Sequence, residues 1–229
     1  MFIGHFGAAF GLKRMAPRAS LAILVAATVW ADILWTLFLL FGWEHVRIAP
    51  GDTSWTPLDL YDYPWSHSLL MLAVWGCVLA LFYRAWRSDT AGAWAIAVGV
   101  LSHWVLDWVT HRPDLPLYPG GPKFGLGLWN SVGGTVVVEL AVFFAGVWLY
   151  AAATQARDRV GRWGFWAYVV FLLILFVGDR FSPPPESARK IAWTGLVGTV
   201  ALLAWAWWCD AHREAIAKQP RVEQRQPAP

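Results

Sequence analysis

The chain has 229 residues, of which 58% are hydrophobic and only 14% charged, with a net charge of +3. Soluble domains carry about 25% charged residues, so this composition excludes a sizeable soluble domain and points to an all-α, polytopic membrane helix bundle. The small positive excess lies in short connections between apolar runs, which suits topology signals better than nucleic-acid binding, and no nucleic-acid partner is expected. The eighteen tryptophans gather toward the ends of those runs, as interfacial aromatic belts do. Cys77 and Cys209 both lie in apolar runs, with no paired-cysteine metal motif.

The apolar stretch 1–12 is too short to span a bilayer and is followed by the break KRMAPR. It reads as a re-entrant or interfacial helix. About six transmembrane helices follow, predicted at 19–41, 66–86, 91–111, 131–153, 163–179 and 191–209. The third ends near His111 because Pro113 disfavours helix at Arg112. Residues 1–212 thus read as one transmembrane domain, and 213–229, rich in Gln, Pro and charge, as a disordered cytoplasmic tail. Placing both termini in the cytoplasm puts twelve of the eighteen Lys and Arg residues inside and six outside, which sets the expected orientation in an inner, or plasma, membrane.

Against this apolar background, ionisable groups at membrane depth mark function. The stretch GVLSHWVLDWVTHRPDLPLYP, 99–119, carries His103, Asp107 and His111 on one helical stripe at i, i+4, i+8. In the expected topology these lie in the outer half of their helix. His67 opens the second helix on the same side, Asp32 lies near the middle of the first, and Glu139 lies within the fourth. His5 rises about 12–15 Å above the turn at KRMAPR and can approach Asp32 if the tilts allow. Imidazole and carboxylate donors suit zinc, with manganese or iron as alternatives. An i, i+4 pair such as His103 and Asp107 can bind one ion from one helix face. His111 lies about 12 Å along the axis from His103. It therefore reads as a ligand of a second ion shared through Asp107, as a proton shuttle, or as a residue placed by the helix dipole alone. The expected metal ligands are His5, Asp32, His67, His103, Asp107 and His111, with Asp107 and His111 also catalytic. Asp62 and Glu139 are expected beside them in supporting positions.

The segments PWSHSLL and GVLSHWVLDWVT resemble the YdjM-like membrane-bound metal-dependent hydrolases, also described as LexA-binding inner-membrane-associated hydrolases. That family shows a THSLL-like helix start and a later SHLLLDxxT-like helix, with a His near the N-terminus and an Asp in the following helix. Here His67, His103, Asp107, Thr110, His5 and Asp32 match those positions, over roughly residues 1–131. The family is distantly similar in motif to zinc-dependent phospholipase C and S1/P1-type nucleases, which implies several metal ions and a phosphoester substrate. The chain departs from the family's PDxD-like run with WADILW, and Thr135 stands four before Glu139 where the related phospholipases have His. One or two ions, not three, are therefore expected.

The function expected from these readings is hydrolysis of a phosphoester or lipid by a metal-activated water, with the loop 113–129 covering the site. Two alternatives use the same cluster: a carrier or permease that passes protons or metal ions, and a non-catalytic interaction protein whose metal serves folding. Oligomeric state and substrate identity are not readable from the sequence.

Overall fold

The computed structural model describes residues 1–216. Helix α1 (Ile3–Leu12) leads into α2 (Leu21–Thr28) and α3 (Trp30–Phe41). A hairpin of β1 (His45–Ile48) and β2 (Leu58–Asp62) follows, then a single turn α4 (Pro64–His67) and α5 (Leu69–Arg87). Next come α6 (Thr90–Thr110), the short strands β3 (Leu115–Pro116) and β4 (Lys123–Phe124), and α7 (Val132–Ala153). The chain closes with β5 (Thr154–Ala156), α8 (Arg159–Phe181), α9 (Ala188–Ala211) and β6 (Arg213–Ala215). Among the described residues, α5 to α9 are each long and apolar enough to cross a membrane, and α2 with α3 forms a sixth candidate span bent by 61°. The expected helix bundle is what the chain folds into.

Local chemistry sets the boundaries. Ser20, Ser68, Ser131, Asp158 and Ser187 each accept from a backbone N–H in the first turn of the helix they cap, satisfying donors that would otherwise be orphaned. Gly42 ends α3 in the left-handed region at φ 69°, where a glycine avoids the penalty of a Cβ. The α5 face carrying Leu70, Val74, Val78 and Leu81 is exposed on the bundle, as a lipid-facing stripe should be.

Helix α1 is not interfacial. Ile3, Phe6, Ala9 and Phe10 are buried, and α1 packs against α7, α2 and α6 inside the bundle. Phe10 meets Phe143, Tyr150, Phe165 and Tyr168 with ring centroids 5.7–6.2 Å apart. A Cβ built on Gly146 would collide with the Gly7 carbonyl, so the α1–α7 contact is of the close small-residue kind. Glu139 of α7 accepts from the backbone N–H groups of Phe2 (2.8 Å) and Gly4 (2.9 Å) at the start of α1. At the other end of α1, Lys13 Nζ lies 2.8 Å from Asp210 Oδ2. The Asp210 carboxylate also accepts from Tyr150 Oη (2.6 Å) and Leu21 N (2.9 Å).

Two expectations change in detail. The first span is not continuous but breaks at Val29, without a proline or glycine nearby. Its cause is tertiary: the Thr28 carbonyl accepts a hydrogen bond from His103 Nδ1 at 2.8 Å, and a side chain inserted into the helical ladder bends a helix. Of the expected tail, Arg213–Ala215 pairs antiparallel with Thr154–Ala156, and residues 217–229 lie outside the described residues.

Candidate metal centre

The break at Val29 positions Asp32 in the first turn of α3, turned toward α6. Ser68, in extended backbone, separates α4 from α5 and leaves His67 at the end of its own short turn. His103 and Asp107 lie one turn apart on α6 and are buried. The result is a compact cluster. His103 Nε2 lies 3.3 Å from His67 Nε2, 3.0 Å from Asp107 Oδ2 and 3.8 Å from Asp32 Oδ1. His67 Nε2 lies 3.6 Å from Asp32 Oδ1 and 3.9 Å from Asp107 Oδ2. His5 Nε2 approaches the other oxygen, Asp107 Oδ1, at 3.1 Å, and its ring stacks on His103 with centroids 3.9 Å apart. The α-amine of Met1 also contacts Asp107 Oδ1.

His111 joins the cluster through Asp107, its i, i+4 neighbour. The helix ends at Thr110, and His111 takes extended backbone at ψ 149°. Its Nε2 lies within 3.5 Å of Asp107 Oδ2. Glu139 supports the site indirectly, by capping the start of α1 that carries His5. Asp62 is not drawn in: it pairs with His45 at 2.7 Å on the exposed hairpin, because β2 alternation turns its side chain outward while neighbouring Tyr63 turns inward and is buried.

Each of three imidazoles is oriented from behind. His103 Nδ1 meets the Thr28 carbonyl. His67 Nδ1 lies 2.7 Å from Ser66 Oγ, which donates to Glu44 Oε2 at 2.6 Å. His111 Nδ1 lies 3.0 Å from Asp114 Oδ1, and that oxygen also accepts from Tyr63 Oη at 2.7 Å. Arg112 contacts Asp52, Asp59 and Asp114 together, tying the end of α6 to the β1–β2 hairpin. Burial and the adjacent Asp114 push the Tyr63 phenol well above its ordinary range, so Tyr63 remains a donor. Burial pushes the His111 imidazole below its ordinary value.

A carbonyl oxygen accepts only, so His103 Nδ1 carries a proton; in its neutral form His103 presents a lone pair at Nε2, and as an imidazolium it donates from Nε2 to Asp107 Oδ2 at 3.0 Å. The Ser66 hydroxyl proton is committed to Glu44, which assigns His67 in the same way. When both rings are neutral, two lone pairs face each other at 3.3 Å, flanked by two carboxylates, an arrangement that a proton or a metal ion resolves. Donor atoms of Asp32, His67 and His103, and separately of His5, His103 and Asp107, lie within 4.8 Å of one another. The His5 Nδ1 atom is buried without a hydrogen-bond partner. Such buried His/Asp groups can hold a divalent metal.

A cavity of about 130 Å³ borders the cluster, lined by Asp32, His67, Asp107, His111, Tyr63 and Trp129 among others. Trp129, at the end of the loop 113–129, lies against the His111 ring at 4.1 Å. Asp32 is the open member of the cluster, with its side chain 43% exposed. Tyr63, Glu44 and Ser66 were not expected from the sequence, and Asp114 carried no assigned role. The only available signal was their position beside His67 and His111 in loops without periodicity.

A family model described as YdjM inner membrane protein matches residues 64–182. The match takes in His67, His103, Asp107, His111 and Glu139. No match is found among curated proteins or among solved structures.

Proposed function

The chain belongs to the YdjM inner membrane protein family, and from that premise we propose that this multi-pass protein is a metal-dependent phosphoester hydrolase. One observation carries the reading: the opposed Nε2 atoms of His67 and His103, 3.3 Å apart, with both Nδ1 protons committed elsewhere. Asp32, His67, His103 and Asp107 would hold the ion, zinc in the first instance. The two oxygens of Asp107 face different partners, Oδ1 toward His5 and Oδ2 toward His103 and His111, which suits one or two ions. When bound, such an ion supplies a Lewis acid and brings the pKa of a coordinated water to about 7.

The chain's own residues supply the rest. In hydrolysis a water oxygen bonds to phosphorus, the ester P–O bond breaks, and the departing alkoxide takes a proton. His111 has its Nδ1 held by Asp114, so Nε2 is the atom at which it moves a proton. Trp129, Leu58 and Leu60 wall the cavity and limit bulk water around the reacting group. With the termini in the cytoplasm, the site lies in the outer half of the membrane.

The test is elemental analysis of detergent-purified protein, wild type against His103→Ala with Asp107→Ala, followed by turnover on a phosphoester panel. The expected result is stoichiometric divalent metal in the wild type, loss of metal in the variant, and turnover that follows the metal. Metal-free wild-type protein would overturn the reading.

A further inference from the structure

Specific ligand pockets span about 300–1,000 Å³. The 130 Å³ cavity at the cluster falls below that range and is large enough only for a reacting group. A second cleft of about 790 Å³ opens at the same end of the bundle, between the loop that joins β1 to β2 and the turn from α8 to α9. Thr56 and Leu58 line both spaces, so the two adjoin along this short segment. The segment is held in place. Thr53 Oγ1 accepts from Trp55 N (3.2 Å) and Thr56 N (2.9 Å) and donates to the Thr56 carbonyl (3.0 Å). The Trp55 ring packs on Phe176 of α8 with centroids 5.3 Å apart.

The lining of the larger cleft states what it takes. Thr53, Ser182 and Thr194 donate their hydroxyls to backbone carbonyls, and Ser54 and Thr56 line the cleft as further hydroxyls, a lining that suits a hydrogen-bonding group and not an acyl chain. Asp179 and Glu186 oppose Arg180 and Lys190, and Lys190 pairs with Glu186 at 2.8 Å. The charge balance is therefore even, unlike a site for a second strong anion such as a polyphosphate or nucleic acid. Resting on the hydrolase reading above, we propose that the cleft is the substrate-recognition site. The phosphoester enters the small cavity, and its other ester group, a neutral or zwitterionic polar moiety of several heavy atoms, occupies the cleft. A membrane lipid headgroup and a soluble diester share that chemistry.

The experiment compares kcat/KM for glycerophosphocholine, for the diacyl lipid with the same headgroup in mixed micelles, and for p-nitrophenyl phosphate, with metal content measured on every sample. Ser54→Trp and Thr194→Trp fill the cleft from exposed positions on its two sides. The expected result is that wild type prefers a choline ester over p-nitrophenyl phosphate by about tenfold or more. Either filling variant should lower that ratio by about tenfold while keeping its metal. Turnover of the lipid at least matching the soluble diester assigns the membrane source, and turnover of the diester alone assigns the soluble one. Metal-loaded protein without that preference, or with the preference intact in both variants, overturns the cleft proposal and spares the hydrolase reading. Wild type that is metal-free or inert on all three esters overturns both.

Discussion

Asp114 Oδ1 lies 3.0 Å from His111 Nδ1 and accepts from Tyr63 Oη at 2.7 Å, so one buried oxygen aims an imidazole and holds a phenol at once. Carboxylates behind ligating histidines are worth about 10–100-fold in metal affinity or activity. Asp114→Ala should lower one or both by that order, and it leaves two buried donors unpaired, at a cost of about 1–3 kcal/mol in stability. Asp114→Asn retains an acceptor and should recover most of the stability but less of the activity. Equal activity in wild type and Asp114→Ala would show that His111 needs no orienting partner.

Metal removal should destabilise the bundle where α3, α4 and α6 meet. Without a metal ion, neutral His67 and His103 set two lone pairs against each other at 3.3 Å, or a proton must take the ion's place. An ion present at 100 times its dissociation constant stabilises the folded state by about 2.7 kcal/mol. Chelation should therefore lower Tm in detergent, and added zinc should restore it. The same titration on His67→Ala should show a much smaller shift. A Tm that ignores chelator would remove the metal from the account of stability.

The sequence made the apolar spans legible because each contains about 20 residues of continuous hydrophobicity. It also made His67, His103 and Asp107 legible, because a polar residue at membrane depth stands out against its surroundings. The break at Val29 was not legible: the residues around it favour helix, and its cause is a hydrogen bond from His103, distant in sequence. His111 reaches the cluster through Asp107 at i, i+4, as the helical stripe implies, but its extended backbone at the helix end has no periodic signal. Glu44, Ser66 and Tyr63 act through loop geometry that has no period to read.

Gly7 and Gly146 let α1 and α7 touch backbone to backbone. Gly146→Ala should force the helices apart at a cost of about 1–3 kcal/mol and lower metal occupancy, since α1 carries His5. Gly198→Ala makes an informative control: its added Cβ meets nothing within 4 Å, and stability should change by less than about 0.5 kcal/mol. Thermal unfolding and metal content of the two variants, measured side by side, check the contrast. Comparable losses at Gly146 in α7 and Gly198 in α9 would mean that close approach to Gly7 is not what sets the cost at Gly146.

Lys13 and Asp210 form a buried ion pair that anchors the end of α1 remote from the His/Asp cluster, with side chains 6% and 7% exposed. His5 lies eight residues back along the chain, about 12 Å along a helix. Asp210→Asn removes the charge and keeps one acceptor oxygen, so it strands the Lys13 ammonium and leaves either Tyr150 Oη or Leu21 N facing an amide nitrogen. Breaking a buried pair from one side costs about 3–5 kcal/mol, whereas replacing both partners is often close to neutral. Asp210→Asn alone should therefore unfold at a clearly lower temperature, and Lys13→Met combined with Asp210→Asn should regain most of the loss. The double-mutant cycle, completed by Lys13→Met alone, isolates the coupling because the hydrogen bond lost by Asp210→Asn is lost with or without Lys13. If the double variant is as unstable as the sum of the single ones, the ion pair is incidental and the anchor is the hydrogen bonding of Asp210 to Tyr150 and Leu21.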